Sequence, residues 1–185
     1  MKNKYDKNAS EAESQRTLEK GPVYRFLADD HARLDLLLQR AFADSERIDL
    51  HAYSEFRSGL LKHIAMEEKV LLPAAQQAQS GEPLPVAAKL RIQHGALAAL
   101  LVPTPIRGVG AAIRAILKDH NPLEEGVGGV YEVCERLAGS EADTILAKLQ
   151  SFAEVKLASH NDGPLVMEST RRAMARAGYN LEDYT

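Results

Sequence analysis

The sequence predicts an all-α fold, an up-down-up-down four-helix bundle with additional short C-terminal helices. Aromatic residues make up only 5% of the 185 residues and there is no tryptophan, a composition that favours helices over a β-sandwich or barrel. Apolar residues recur at three- and four-residue spacing, with no alternation typical of strands. Short breaks separate the periodic segments, and short connections make consecutive helices antiparallel neighbours.

Glycine and proline clusters divide the chain into helical segments. The four main helices are predicted over about Pro22 to Asp44, Asp49 to Gln79, Val86 to Val102, and Gly108 to at least His120. Shorter helices are predicted over Val130 to Leu137, Glu141 to Ser159 and Leu165 to Ala177. The resulting domain organisation is a flexible tail over 1–19, a metal-binding bundle over 20–138 and a helical extension over 139–185 that packs on the bundle.

Composition and charge exclude several classes of partner. The net charge of −3 gives no electrostatic basis for binding nucleic acid or an anionic membrane. The sequence contains neither a signal-peptide pattern nor the roughly 20 apolar residues of a membrane span, so we expect a cytoplasmic protein. The single cysteine, Cys134, is expected to be a buried apolar residue rather than a reactive thiol.

Four of the six histidines interrupt the apolar stripes of the main helices, and two of them are followed four residues later by a glutamate on the same face. Buried carboxylates are costly unless they are paired or bind a metal. The candidate metal ligands are therefore His31, His63, Glu67, His94, His120 and Glu124. We interpret the other two histidines, His51 and His160, as surface or capping residues.

The positions of these residues along their helices favour a common site. Counted from the connecting turns, the candidate ligands lie at depths that agree to within about one or two turns at 1.5 Å per residue. A single histidine on an apolar face is more often a hydrogen-bonded core residue, but six such side chains in one layer favour metal binding over a metal-free polar layer. Tyr24 and Tyr131 are candidate hydrogen-bond donors to this site, although packing is the favoured role for both.

Four segments carry a family resemblance: FLADDHARLDLLL, LLKHIAMEEKVLLPAA, IQHGAL and LKDHNPLEE. Together they resemble the hemerythrin-like, or HHE cation-binding, family. The resemblance implies a non-haem centre of two iron ions with an oxo or hydroxo bridge. It also implies that the four candidate histidines bind the irons terminally and that Glu67 and Glu124 bridge them. Imidazole and carboxylate ligands suit iron, and manganese or zinc remain alternatives.

Two positions depart from the pattern of the oxygen-carrying family members. Ala98 stands where those members have a further histidine, which leaves a more open coordination sphere. Pro122 lies between His120 and Glu124, where it could kink the helix or follow a new cap at Asn121. Since either outcome could displace Glu124, Glu125 is the substitute ligand.

The favoured function is a di-iron protein that binds or senses O2, NO or peroxide, or handles iron under oxidative or nitrosative stress. The alternatives are a di-iron redox enzyme or an iron–sulfur cluster repair protein, and a metal-free helical interaction module. The sequence shows no nucleophile–base set or phosphate-binding loop of a conventional enzyme. Whether the protein catalyses a reaction through bound metal is left open. A second copy of the chain, in a homodimer, is the one candidate protein partner.

Overall fold

The computed structural model describes residues 20–184, and this range is entirely helical and irregular, without strands. The helices are α1 (Pro22–Ala41), α2 (Leu50–Met66), α3 (Leu72–Ala78), α4 (Ala87–Leu100), α5 (Arg107–Glu125), α6 (Val130–Ala138), α7 (Ala142–Gln150) and α8 (Pro164–Arg176). A π-helical segment, Glu67–Leu71, joins α2 to α3 without a break, so the predicted second helix is one continuous element. The all-α prediction is confirmed for these residues, and the predicted flexible tail lies outside them.

Local sequence signals account for several helix ends. Helix α1 begins with Pro22, a position that suits proline because the first helical N–H groups have no partner within the helix. Asp49 caps α2, with its carboxylate accepting a hydrogen bond of 3.0 Å from the backbone N–H of Ala52. After α3 the chain turns at Ser80 and Gly81, where φ is 60° and 95°.

Two hydrophobic cores fill the bundle, one on each side of a polar layer. Along α1, Leu27 belongs to one core and Leu34 to the other, with His31 between them. Along α4, Leu90 belongs to the same core as Leu27, and Leu97 belongs to the same core as Leu34. Helices α2 and α5 pass from the second of these cores to the first, so they cross the polar layer in the opposite direction. The up-down-up-down order remains a prediction that these alternating crossings support.

The predicted helix from Glu141 to Ser159 is wrong in its second half. The segment starts with a 3₁₀ turn, Gly139–Glu141, which leads into α7. Helix α7 ends at Gln150, and residues 152–163 have no regular structure. An extended chain advances about 3.3 Å per residue against 1.5 Å in a helix, so this connector reaches across the bundle to the loop after α4. There the N–H of Asn161 donates to Val102, and Thr104 donates to Asp162 through its backbone N–H and its hydroxyl.

The C-terminal helices pack against the long helices, α7 on α1 and α8 on α4. The hydroxyl of Tyr179, after α8, donates to Asp119 of α5 at 2.7 Å. Cys134 of α6 is buried, as predicted, and burial raises the pKa of its thiol to about 12. Across residues 20–184, every helix is too short or too polar to cross a lipid bilayer.

Candidate metal centre

The polar layer between the two cores brings together all six candidate ligands. Each side chain is at least 94% buried, since the exposed fraction ranges from 0% for Glu124 to 6% for His31. Helix α1 supplies His31, α4 supplies His94, and α5 supplies His120 and Glu124. His63 lies near the end of α2, and Glu67 is the first residue of the π-helical segment.

The ligand atoms form two overlapping groups, and within each group they lie within 4.8 Å of one another. The groups share two carboxylates and differ in their histidines. The first consists of His31, His63, Glu67 and Glu124, and the second of Glu67, His94, His120 and Glu124. Each group therefore offers two histidines and two carboxylates, and both carboxylates are common to the two groups.

Glu67 directs one carboxylate oxygen to each group. Its Oε1 lies 3.3 Å from Nε2 of His63, and its Oε2 lies 3.2 Å from Nε2 of His94. Glu124 lies opposite, with its Oε2 3.1 Å from Nε2 of His120 and 3.5 Å from Nε2 of His31. Each glutamate can therefore contact both groups at once.

Every one of the four imidazoles turns Nε2 inwards and holds Nδ1 against an oxygen acceptor behind it. The distances are 2.8 Å from His63 to Asp30, 2.8 Å from His94 to Glu68 and 3.1 Å from His120 to Gln93, and His31 contacts Glu125. An acceptor at Nδ1 fixes the proton there and leaves the Nε2 lone pair free for a metal. Asp30, Glu68 and Gln93 were not predicted from the sequence as members of the site, and Glu125 was predicted only as a substitute ligand.

Three buried atoms at the centre have no hydrogen-bond partner among the described residues: Oε2 of Glu67, Nε2 of His94 and Oε1 of Glu124. Buried polar atoms are nearly always satisfied, and leaving one unsatisfied costs about 1–3 kcal/mol. All three atoms have lone pairs that could coordinate a cation. The residues present thus fit a metal site in both chemistry and position.

Electrostatic coupling within the layer is strong. Burial opposes charge on His63, but Glu67 and the hydrogen bond to Asp30 raise its pKa to about 10. Burial also opposes charge on His94, and the nearby carboxylates of Glu124 and Glu67 raise its pKa to about 10. Burial would raise the pKa of Glu67, yet His63 and His94 hold it well below its ordinary value. The cluster therefore holds positive charge among its carboxylates, whether from protons or from a cation.

Tyr131 of α6 reaches the same centre. Its side chain is fully buried, and its hydroxyl donates to Oε1 of Glu67 at 2.6 Å. The hydroxyl oxygen of Tyr131 also lies 3.1 Å from Nε2 of both His31 and His63. Packing was the predicted role of Tyr131, whereas its hydroxyl in fact lies among the ligand atoms. Tyr24 does not reach them, because its hydroxyl donates to the backbone carbonyl of Glu125.

Pro122 does not displace Glu124. Helix α5 continues through Pro122 to Glu125, so Asn121 does not cap a new helix. Glu124 faces the cluster, whereas Glu125 contacts Nδ1 of His31 from outside and does not replace it.

The π-helical segment explains how two adjacent glutamates serve one site. It begins at Glu67, and the N–H of Leu72 donates to the Glu67 carbonyl five residues earlier. Glu67 enters the cluster, while Glu68 accepts from Nδ1 of His94 and from Arg91. Single π-helical turns within α-helices are frequent at functional sites.

The two histidines predicted to lie outside the site are both exposed. Nδ1 of His51 lies 3.4 Å from Oε2 of Glu55, which is one turn later on α2. His160 lies in the connector, with Nδ1 3.3 Å from the carbonyl of Val102. Both predictions are confirmed.

Comparison with known proteins agrees with this geometry. The family model of the hemerythrin HHE cation binding domain matches residues 23–127. This range is more than half of the chain and covers α1 to α5. No curated protein and no solved structure matches the chain. All six clustered side chains lie within the matched residues, and the chain belongs to the hemerythrin HHE cation-binding family.

Proposed function

We propose that this protein is a non-haem di-iron protein that binds or senses O2, NO or peroxide, or handles iron under oxidative or nitrosative stress. The observation that carries the proposal is the pair of four-donor groups sharing Glu67 and Glu124. A single cation would need only one such group. Two groups joined by two carboxylates favour two cations held side by side.

The residues divide into three roles. His31 and His63 would bind one cation and His94 and His120 the other, each through Nε2. Glu67 and Glu124 would bridge them and offset part of their charge. The acceptors behind the four Nδ1 atoms would hold the imidazoles in orientation and increase their basicity. Iron bound here would supply reversible ferrous–ferric redox chemistry and an open position for a small ligand.

Imidazole and carboxylate donors suit iron, manganese and zinc. Iron is favoured by the family, and either other metal would use the same side chains. Ala98 of α4 carries only a methyl group, so it adds no further ligand to the second group.

A cavity of about 370 Å³ lies beside this layer. His31 contributes to its wall, and most of the remaining wall is apolar, although charged side chains also line it. The apolar part consists mainly of Leu34, Leu38, Leu60 and Leu117, and the charged residues are Asp35, Arg114 and Lys118. A mainly apolar cavity admits uncharged diatomic molecules more readily than ions. This favours an uncharged ligand over an ionic one.

Metal analysis of the purified protein tests the proposal. We expect about two iron ions per chain, together with the near-ultraviolet absorption of a bridged ferric pair. The reduced protein should then be exposed separately to O2, NO and peroxide. A stable spectral adduct supports binding or sensing, continuous consumption of the added molecule supports the redox-enzyme alternative, and a folded protein that takes up no metal contradicts the proposal.

A further inference from the structure

The position of the Tyr131 hydroxyl oxygen relative to the first donor group is unusual for a packing residue. It lies 3.1 Å from Nε2 of His31, 3.1 Å from Nε2 of His63 and 2.6 Å from Oε1 of Glu67. It also lies 3.3 Å from Oε2 of Glu124. The oxygen therefore contacts all four members of that group.

A phenol cannot satisfy four such neighbours by hydrogen bonding. It has one proton to donate, and its neighbours are carboxylate oxygens and imidazole nitrogens. Because Nδ1 of His31 and of His63 faces a carboxylate that would hold the remaining ring proton, Nε2 of each would be the lone-pair atom when the ring binds a metal in its neutral form. Five electron-rich atoms this close together require positive charge among them, which a cation in the loaded protein would supply.

The ring of Tyr131 cannot easily withdraw its oxygen. It is 0% exposed, and its face-to-edge neighbour Tyr24 lies 5.9 Å away between ring centroids at an interplanar angle of 90°. The His31 ring lies on another side at 5.6 Å. Moving the hydroxyl away from the layer would require this part of the core to open.

We propose that the oxygen of Tyr131 is a fifth protein ligand to the cation held by His31 and His63. Coordination breaks the phenol O–H bond and forms an oxygen–metal bond. The proton leaves to the neighbouring carboxylates or to water, and no electron is transferred. This inference rests on the proposed di-metal function and deepens it.

The proposed ligand would make the two metal positions inequivalent. The first would receive five protein atoms, including a phenolate, and the second would receive four. Tyr131 comes from α6, so a residue beyond the matched residues 23–127 would complete the centre. Phenolate is a strong donor to ferric iron and produces a visible charge-transfer band, which imidazole and carboxylate ligands do not.

The experiment uses the full chain loaded with iron and oxidised to the ferric state. Iron content, visible absorption and resonance Raman spectra excited in the visible band are recorded for three proteins. Wild type should show the band with phenolate ring vibrations. Tyr131→Phe should lose both while keeping about two irons per chain. Tyr24→Phe is the matched control, since its hydroxyl donates to the Glu125 carbonyl, and it should retain both.

The outcomes separate this inference from the proposed function. Wild type with two ferric irons and no phenolate vibrations would overturn the inference alone, as would vibrations that persist in Tyr131→Phe. Wild type that takes up no iron would contradict the proposed function and this inference together. Should Tyr131→Phe fail to fold by circular dichroism, Raman spectra of wild type labelled with ring-deuterated tyrosine decide whether a phenolate is bound.

Discussion

Nδ1 of His63 donates to Oδ2 of Asp30 at 2.8 Å, which joins α2 to α1 directly behind the candidate metal centre. Asp30 precedes His31, so adjacent residues of α1 provide a ligand and the support for a ligand on another helix. Burial alone would raise the pKa of Asp30, but His63 and Arg33 lower it. Asp30 is therefore charged when it holds the imidazole.

Removing this support should weaken metal binding without removing a ligand. Asp30→Ala is expected to reduce iron affinity by about 10–100-fold, the usual effect of losing an acceptor behind a ligating histidine. Competition with a chelator measures the change. Asp29→Ala is the matched control, because Asp29 is the exposed neighbour of Asp30 and contacts no ligand. Equal affinities for the two variants would show that the contact to His63 has no supporting role.

The shared carboxylates should matter most to metal content. Glu67→Ala is expected to release most of the iron, because it removes a contact to both donor groups. Iron per folded chain measures the loss. His51→Ala and Glu82→Ala change exposed residues and should leave iron content unchanged. Comparable losses in all three variants would contradict the assigned site.

The metal-free protein should have a stability maximum in weakly acidic solution. The pKa of Glu67 and of Glu124 is lowered from 4.5, so their contribution to stability is present above pH 4.5 and is lost as the pH falls further. The pKa of His63 and of His94 is raised from 6.5 to about 10, so their contribution is full below pH 6.5 and is lost as the pH rises towards 10.

Urea unfolding of the chelator-treated protein at several pH values measures this dependence. The midpoint should be highest between pH 4.5 and 6.5 and should decline on both sides. His63→Leu should flatten the decline on the alkaline side. A midpoint that stays constant from pH 6.5 to 10 in wild type would refute the coupling between the histidines and the glutamates.

The cavity beside His31 should control access of small ligands. Leu117→Phe fills part of this cavity and is expected to slow the association of NO or O2 with the reduced protein several-fold, with iron content unchanged. Stopped-flow absorbance measures the rate. Leu36→Phe places the same ring on the exposed face of α1, where Leu36 is 65% exposed, and should have no effect. Unchanged association in Leu117→Phe would indicate another route.

Helix positions and the meeting of six side chains could be predicted from the sequence because both depend on periodicity and on distance along the chain. The acceptors behind the histidines could not. Glu68 follows Glu67, and consecutive helical residues point about 100° apart, so spacing alone assigned it to a different face. Its contact with His94 depends on how α4 packs beside the π-helical segment.

Tyr131 and the connector after α7 illustrate the same limit. Tyr131 shares an apolar stripe with Val130 and Cys134, which is typical of a packing residue, and only the packing of α6 brings its hydroxyl to Glu67. Residues 152–159 have a composition that suits a helix. They must connect α7 to Asn161 and Asp162, whose hydrogen bonds to the loop after α4 fix the end of the connector, and this favours an extended path instead.

The acidic residues around the histidine layer would affect the reduction potential of a metal pair bound there. Glu67 and Glu124 lie inside the layer, and Asp30, Glu68 and Glu125 contact it from behind. Negative charge in a buried site stabilises the more highly charged of two oxidation states. A redox-active metal pair bound here would therefore have a lower reduction potential than one held among amide acceptors such as Gln93, and the oxidised form would be its resting form in air.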